Sequence, residues 1–278
     1  MNLLAEPLIQ RMLIVGLLVG MAAPVMGTYL VQRRMALLGD GIGHVALAGV
    51  AAGWLAGAAF DLAQQDALAI PGAVLFAIIG AVVIERMRSR GTAADIVMAI
   101  LFYGGIASGV LLIGLAGGSN ANLLGYLFGS ISTVTWGDVW MSAGLAALIL
   151  VVGLGLRAAL FAVTHDQEFA RSTGLPVDAL NMVVAVLAAV TITVAMRVVG
   201  VLLVSALMIV PVAIAQLLTR SFARTMHLAM GLGAALTLTG IWITIFNDVQ
   251  PGSLIVVIGV VVYVTVAAVT SLLKGSRR

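Results

Sequence analysis

Residues 33–57 read RRMALLGDGIGHVALAGVAAGWLAG, an apolar, glycine-rich run that is long enough to cross a bilayer and that contains an acid and a histidine. Asp40 and His44 are four residues apart. On a helix their side chains therefore share one face, with Cβ atoms about 5 to 6 Å apart. They follow Arg33 and Arg34 by roughly 9 and 15 Å of helix, which places them within the hydrocarbon layer. Ionisable groups at that depth indicate a functional site.

The chemistry of Asp40 and His44 predicts half of a metal site. A carboxylate and an imidazole suit zinc, and carboxylate oxygens also suit manganese. A two-fold homodimer would supply a second pair and complete four ligands at the subunit boundary. A structural interpretation stays open, in which His44 is an interhelical hydrogen-bond partner and Asp40 an N-cap.

Composition predicts an all-α, polytopic helical membrane protein with a single transmembrane domain over residues 1–278. Of the 278 residues, 62% are hydrophobic and only 9% are charged. The absence of cysteine excludes disulfides and thiolate ligands. The basic residues fall between apolar spans and form no patch with aromatic residues, which argues against a nucleic-acid partner.

Hydropathy predicts nine spans, although eight or ten stay open, and the first is expected to be a retained span because no basic n-region precedes it. The spans are 8–31, 35–60, 67–84, 96–116, 139–161, 179–196, 198–218, 226–246 and 252–273. The stretch 179–218 is interrupted only by Arg197 and Gly200. Residues 117–138 are expected to form a short amphipathic or re-entrant element at the outer side.

The positive-inside rule predicts an external N-terminus and a cytoplasmic C-terminus, because twelve basic residues then lie inside and two, Arg11 and Arg197, outside. The cytoplasmic residues are Arg33, Arg34, Arg86, Arg88, Arg90, Arg157, Arg171, Arg220, Arg224, Lys274, Arg277 and Arg278. The longest polar interruption on that side is residues 164–178, THDQEFARSTGLPVD. Thr164 or Asp166 is expected to cap a short helix there, and Gly174 to end it.

Glycines recur every fourth residue in the second span and predict close helix packing. They are Gly39 and Gly43, followed by Gly49, Gly53 and Gly57. The second set lies roughly 100° around the helix from Asp40 and His44, so one face could pack while the adjacent face lines a path. Ser108 and Ser205 also lie in spans, and hydrogen bonds between helices are their expected role.

The pattern R-R-M-x-x-x-G-D-x-x-x-H-x-x-x-x-G-V at residues 33–50 resembles the membrane permeases of zinc, manganese and iron ABC importers. The Y-L-F-G block at 126–129 and the stretch 194–218 with Pro211 share the resemblance. It implies an ABC importer permease in a bacterial inner membrane, with two cytoplasmic ATPases and an extracytoplasmic metal-binding protein as partners. It also implies that residues 164–178 dock onto the ATPase, through Asp166, Glu168, Phe169, Ala170 and Gly174.

The chain carries no P-loop, since its only lysine, Lys274, lies outside any G-x-x-x-x-G-K-[ST] pattern. We therefore expect a transporter subunit that is not an enzyme, that binds no permanent cofactor and that relies on a separate ATPase. The resemblance favours Zn²⁺ over Mn²⁺ as the transported ion. A proton-coupled transporter or channel using Asp40 and His44, and an ABC permease for cobalamin or siderophores, are the alternatives.

Overall fold

The computed structural model describes residues 6–61, 67–116, 125–129, 134–247 and 249–275. Within these residues the chain forms eleven α-helices, and residues 125–128 add one isolated helical turn. The helices are α1 Pro7–Gln32, α2 Leu38–Ala59, α3 Ala69–Ser89, α4 Ala94–Leu115, α5 Trp136–Gly155, α6 Arg157–His165, α7 Gln167–Ser172, α8 Val177–Val199, α9 Val201–Leu218, α10 Phe222–Phe246 and α11 Pro251–Gly275.

Among the described residues, eight helices are long and apolar enough to cross a membrane: α1 to α5, α8, α10 and α11. A shorter apolar helix, Leu203–Leu218, lies within α9. Each of these nine apolar helices coincides with one predicted span. The all-α, polytopic fold predicted from hydropathy is thereby confirmed.

Two breaks between consecutive helices fall within apolar stretches of the sequence. Gly200 separates α8 from α9 with φ +88°, a left-handed conformation that favours glycine. The predicted fifth span, 139–161, was wrong in its extent, because the helix stops at Gly155 and α6 begins at Arg157. The Tyr29 hydroxyl of α1 donates to the Gly153 carbonyl at this end of α5.

Three helices form the centre of the bundle and position the site. About seven-tenths of α1, α2 and α8 is buried within the chain, whereas α11 lies at the periphery with less than a fifth buried. α2 packs against α3, α4, α8 and α9. The segment that carries Asp40 and His44 is therefore enclosed by four neighbouring helices.

Side-chain contacts show which helix ends lie together. Arg33, at the end of α1, reaches Thr164 and Asn181, and Arg88, at the end of α3, reaches Met35. At the opposite end of the bundle Arg11 donates to the Val134 carbonyl. The first three helices thus alternate as predicted, and the assignment of the Arg33 end to the cytoplasm stays a prediction from the distribution of basic residues.

The short polar segment 164–178 contains the caps that the sequence indicates. Asp166 is the N-cap of α7, and its Oδ1 accepts a hydrogen bond of 2.9 Å from the Phe169 amide. After α7 the backbone turns at Gly174, where φ is +82°. The capping prediction for Asp166 is confirmed. Residues 117–124 and 130–133 of the outer element lie outside the described residues.

Candidate metal-passage site

Asp40 lies in the first turn of α2, half-buried and bonded to another helix. One carboxylate oxygen, Oδ1, accepts a hydrogen bond from the Ser205 hydroxyl of α9. Gly39 permits this approach, since a Cβ there would lie 3.2 Å from the Ser205 Cβ. The helix N-terminus favours a negative charge at this position. The N-cap interpretation of Asp40 was wrong, because the N-cap is Leu37.

His44, one turn further along α2, is 5% exposed, and its Nδ1 atom is buried without a hydrogen-bond partner. Its ring meets the Phe102 ring of α4 edge to face, with centroids 4.4 Å apart. Gly105 lets α4 approach the backbone, because a Cβ there would lie 2.6 Å from the His44 carbonyl carbon. Buried polar atoms are rarely left unpaired, so this nitrogen has capacity for a further partner.

The structure therefore places Asp40 and His44 on the same buried stretch of α2 but against different neighbours, α9 and α4. Within the described residues no group of three or more histidine, aspartate and glutamate side chains is close enough to hold a metal ion. One copy of the chain therefore contains two of the four predicted ligands, the Asp40 carboxylate and the His44 imidazole. Asp40 is half-buried, and His44 is buried within the chain.

The predicted packing glycines contact several helices. A Cβ at Gly49 would lie 2.3 Å from the Gly72 carbonyl oxygen, and one at Gly53 would lie 2.1 Å from the Leu68 carbonyl oxygen, both at α3. Gly43 is less tightly enclosed, with a Cβ position 3.3 Å from a Val201 methyl group of α9. Gly57 is buried. The two glycine sets therefore meet different helices, α9 for Gly39 and Gly43 and α3 for Gly49 and Gly53.

The predicted ATPase-coupling residues form the short helix α7 and its ends. Ala170 is fully buried beneath the helix, whereas the Phe169 ring is 61% exposed. Glu168 lies in the first turn and Gly174 closes the segment. Arg171 pairs with Asp178 at 3.0 Å, and both side chains are exposed. The large apolar side chain of Phe169 thus projects from α7, while the small side chain of Ala170 packs against the rest of the protein.

Sequence reasoning missed the role of Ser205 at the site and the contact of Phe102 with His44. Ser205 was expected to make a hydrogen bond between helices, which the structure confirms, but nothing in the sequence paired it with Asp40. Ser108 was expected to do the same. That prediction was wrong, because its hydroxyl bonds to the Gly104 carbonyl of its own helix at 2.6 Å.

The fold and the buried pair define a class: polytopic helical membrane proteins with ionisable groups inside the bundle. The chain belongs to the ABC 3 transport family, whose sequence pattern matches residues 5–270. It is a multi-pass membrane permease of a bacterial ABC importer for metals.

Three relatives illustrate the similarity. The manganese transport system membrane protein MntC of Halalkalibacterium halodurans is 31% identical over 92% of this chain and 85% of its own length. The manganese import system permease protein ScaB of Streptococcus parasanguinis is also 31% identical, over 92% of this chain and 88% of its own. A solved structure, PsaBC from Streptococcus pneumoniae in complex with Fab, superposes with a TM-score of 0.82 and 28% identity, covering 95% and 92% of the two chains.

Proposed function

We propose that this permease passes a divalent transition-metal ion along α2, with Asp40 and His44 as transient ligands. The observation that carries the proposal is the buried, partnerless Nδ1 of His44 one helical turn from the Asp40 carboxylate. A second copy of the chain would supply a second pair and complete four ligands at the boundary between subunits. Because His44 is 5% exposed here, this requires α2 to move relative to the helices that cover it. Carboxylate and imidazole without thiolate suit weak coordination, which a transport site needs in order to release its ion.

The experiment is metal uptake by the complete importer in proteoliposomes, with Asp40→Ala and His44→Ala as variants. Each should lower uptake at least about 10-fold, the size of effect typical for the loss of metal-site groups. Assembly of the complex should be unchanged. Two matched controls carry the same residue types at exposed positions, Asp61→Asn and His227→Ala. Unchanged uptake in both Asp40→Ala and His44→Ala would contradict the proposal.

The identity of the metal needs its own measurement. Zinc was the ion predicted from the sequence, whereas the relatives MntC and ScaB are named as manganese systems. An aspartate and a histidine can bind either ion. Parallel uptake of radioactive zinc and manganese by the same proteoliposomes, each in competition with the other, ranks the two ions directly. Stronger inhibition of manganese uptake by zinc than the reverse would support the zinc prediction.

We also propose that α7 docks onto a cytoplasmic ATPase subunit, two of which drive the importer, and that an extracytoplasmic protein delivers the ion. The exposed Phe169 ring above the buried Ala170 supports the docking, because a lone large apolar side chain on a short helix suits a shallow groove. Phe169→Asp should abolish co-purification of the ATPase while the permease remains folded. Leu272→Asp, at an exposed apolar residue near the end of α11, is the control.

A further inference from the structure

The connection between α1 and α2, residues 33–37, is a tight turn that leads directly into α2, the helix that carries Asp40 and His44. The Arg33 amide bonds to the Tyr29 carbonyl at 3.1 Å, and the Met35 amide bonds to the Leu30 carbonyl at 2.9 Å. Arg34 has φ +58°, a left-handed conformation that is unfavourable for a non-glycine residue. Asp40 follows within the first turn of α2. Since no flexible segment separates this turn from Asp40, a displacement of the turn also moves Asp40.

The Arg33 side chain connects this turn to α6 and α8, the helices that precede and follow α7. Its Nη2 donates to the Asn181 Oδ1 at 2.5 Å, and its Nε lies 3.4 Å from the Thr164 Oγ1. Thr164 is at the end of α6, two residues before the Asp166 cap of α7. Asn181 lies in the second turn of α8, just after the segment that contains α7, and is 2% exposed. One guanidinium thus bridges the helix before α7 and the helix after it.

A second arginine holds the same turn from the other side. Arg88 of α3 pairs with the buried Glu85 at 3.0 Å and donates to the Met35 sulfur at 3.6 Å. Burial, with a further contribution from Arg88, lowers the pKa of Arg33 to about 10, against an opposing effect of Glu85. The Arg33 guanidinium is therefore still charged at neutral pH, and its bond to the Asn181 amide is charge-assisted.

We propose that Arg33 is the positioning residue that transmits movement of residues 164–178 to α2, and so links ATPase closure to the geometry of Asp40. The proposal rests on the proposed function, because it takes α7 as the ATPase contact and Asp40 as a ligand. Guanidinium suits the role, since its planar fork fixes two acceptors from α6 and α8 at once. The ammonium of a lysine is a flexible point charge that cannot reproduce this geometry.

The test uses the reconstituted importer with its ATPase and compares three quantities: Mn²⁺ or Zn²⁺ binding, ATP hydrolysis and metal uptake. Arg33→Lys should leave binding and hydrolysis within about 2-fold, while uptake per ATP hydrolysed falls about 10-fold, within the usual range of coupling between sites. Asn181→Ala removes the acceptor and should reproduce the effect from the other side. Arg86→Lys, at an exposed arginine on the same end of α3, should leave all three quantities unchanged.

Two results would overturn the inference. One is an unchanged ratio of uptake to hydrolysis in both variants. The other is a parallel fall of all three quantities with the yield of folded complex, which would make Arg33 a structural residue only. Failure of the proposed function gives a different pattern, in which Asp40→Ala itself leaves uptake intact. Loss of uptake in Asp40→Ala with a normal ratio in Arg33→Lys would reject only the coupling role.

Discussion

The two halves of α2 are packed in different ways. In residues 49–59 the helix meets α3 backbone to backbone, and Gly49 and Gly53 leave no room for even a methyl group. In residues 38–48 the helix also meets backbone, since a Cβ at Gly105 of α4 would lie 2.6 Å from the His44 carbonyl carbon. Here, however, side chains make further contacts: the Ser205 hydroxyl on Asp40, the Phe102 ring on His44 and a Val201 methyl group beside Gly43. In the predicted topology residues 49–59 are the outer half of α2 and residues 38–48 the inner half. The difference is that the inner half combines backbone packing with a polar and an aromatic side chain on Asp40 and His44.

The largest effect is expected for Gly53→Leu in the outer half. A Cβ there would lie 2.1 Å from the Leu68 carbonyl oxygen and 2.9 Å from the Ala69 Cα, and neither backbone atom can move away without displacing α3. We expect a loss of at least about 3 kcal/mol and no monodisperse protein in detergent. Size-exclusion chromatography measures this. Gly104→Leu, on α4 where a Cβ would meet nothing within 4 Å, is the control and should elute normally.

In the inner half, His44→Leu should separate stability from function. The substitution removes a buried nitrogen that has no partner, so the folded protein should gain about 1 kcal/mol of unfolding free energy while uptake is lost. Asp40→Ala should have the opposite effect on stability, because it leaves the Ser205 hydroxyl without its acceptor. Thermal unfolding in detergent compares the two. A destabilised His44→Leu would mean that Nδ1 has a structural partner.

Ser205→Ala tests the link between α9 and the carboxylate. The variant loses one hydrogen bond, so unfolding should change by only about 1 kcal/mol. Metal affinity should weaken about 10-fold, because a ligating carboxylate depends on the groups that orient it. Titration of the purified importer with Mn²⁺ and Zn²⁺ measures the affinity. Ser108→Ala is the matched control, since that hydroxyl bonds only within α4 in the described structure, and equal affinity losses in both would contradict the assignment.

The smallest effect is expected for Trp54→Phe in the outer half. The indole Nε1 is buried without a hydrogen-bond partner, as the His44 Nδ1 is, but no acid lies one turn away on α2. Phenylalanine keeps an aromatic edge against Tyr126, whose ring centroid is 5.5 Å from that of Trp54. Stability should change by less than about 1 kcal/mol and uptake by less than about 2-fold. A large loss of uptake would extend the functional region into the outer half.

Local patterns were sufficient for much of the fold and for half of the site. Hydropathy located all nine apolar helices, Gly200 marked the break between α8 and α9, and Asp166 marked the start of α7. The spacing of Asp40 and His44 placed them on one face of one helix. Hydropathy failed at Leu156, because Arg157 is the one charged residue in 139–161 and did not divide the predicted span. The end of α5 is contacted by Tyr29, which lies 124 residues away in the chain.

The amino-acid sequence is sufficient to infer a helical membrane protein with an acid and an imidazole one turn apart in its second span and with no P-loop. These features depend on neighbouring residues, so helical period and side-chain chemistry predict them. The hydrogen bond of Ser205 to Asp40, the contact of Phe102 with His44 and the bridge of Arg33 between α6 and α8 are visible in the folded structure alone. Those contacts depend on how each helix is rotated against its neighbours, and rotation is set by packing across the whole bundle.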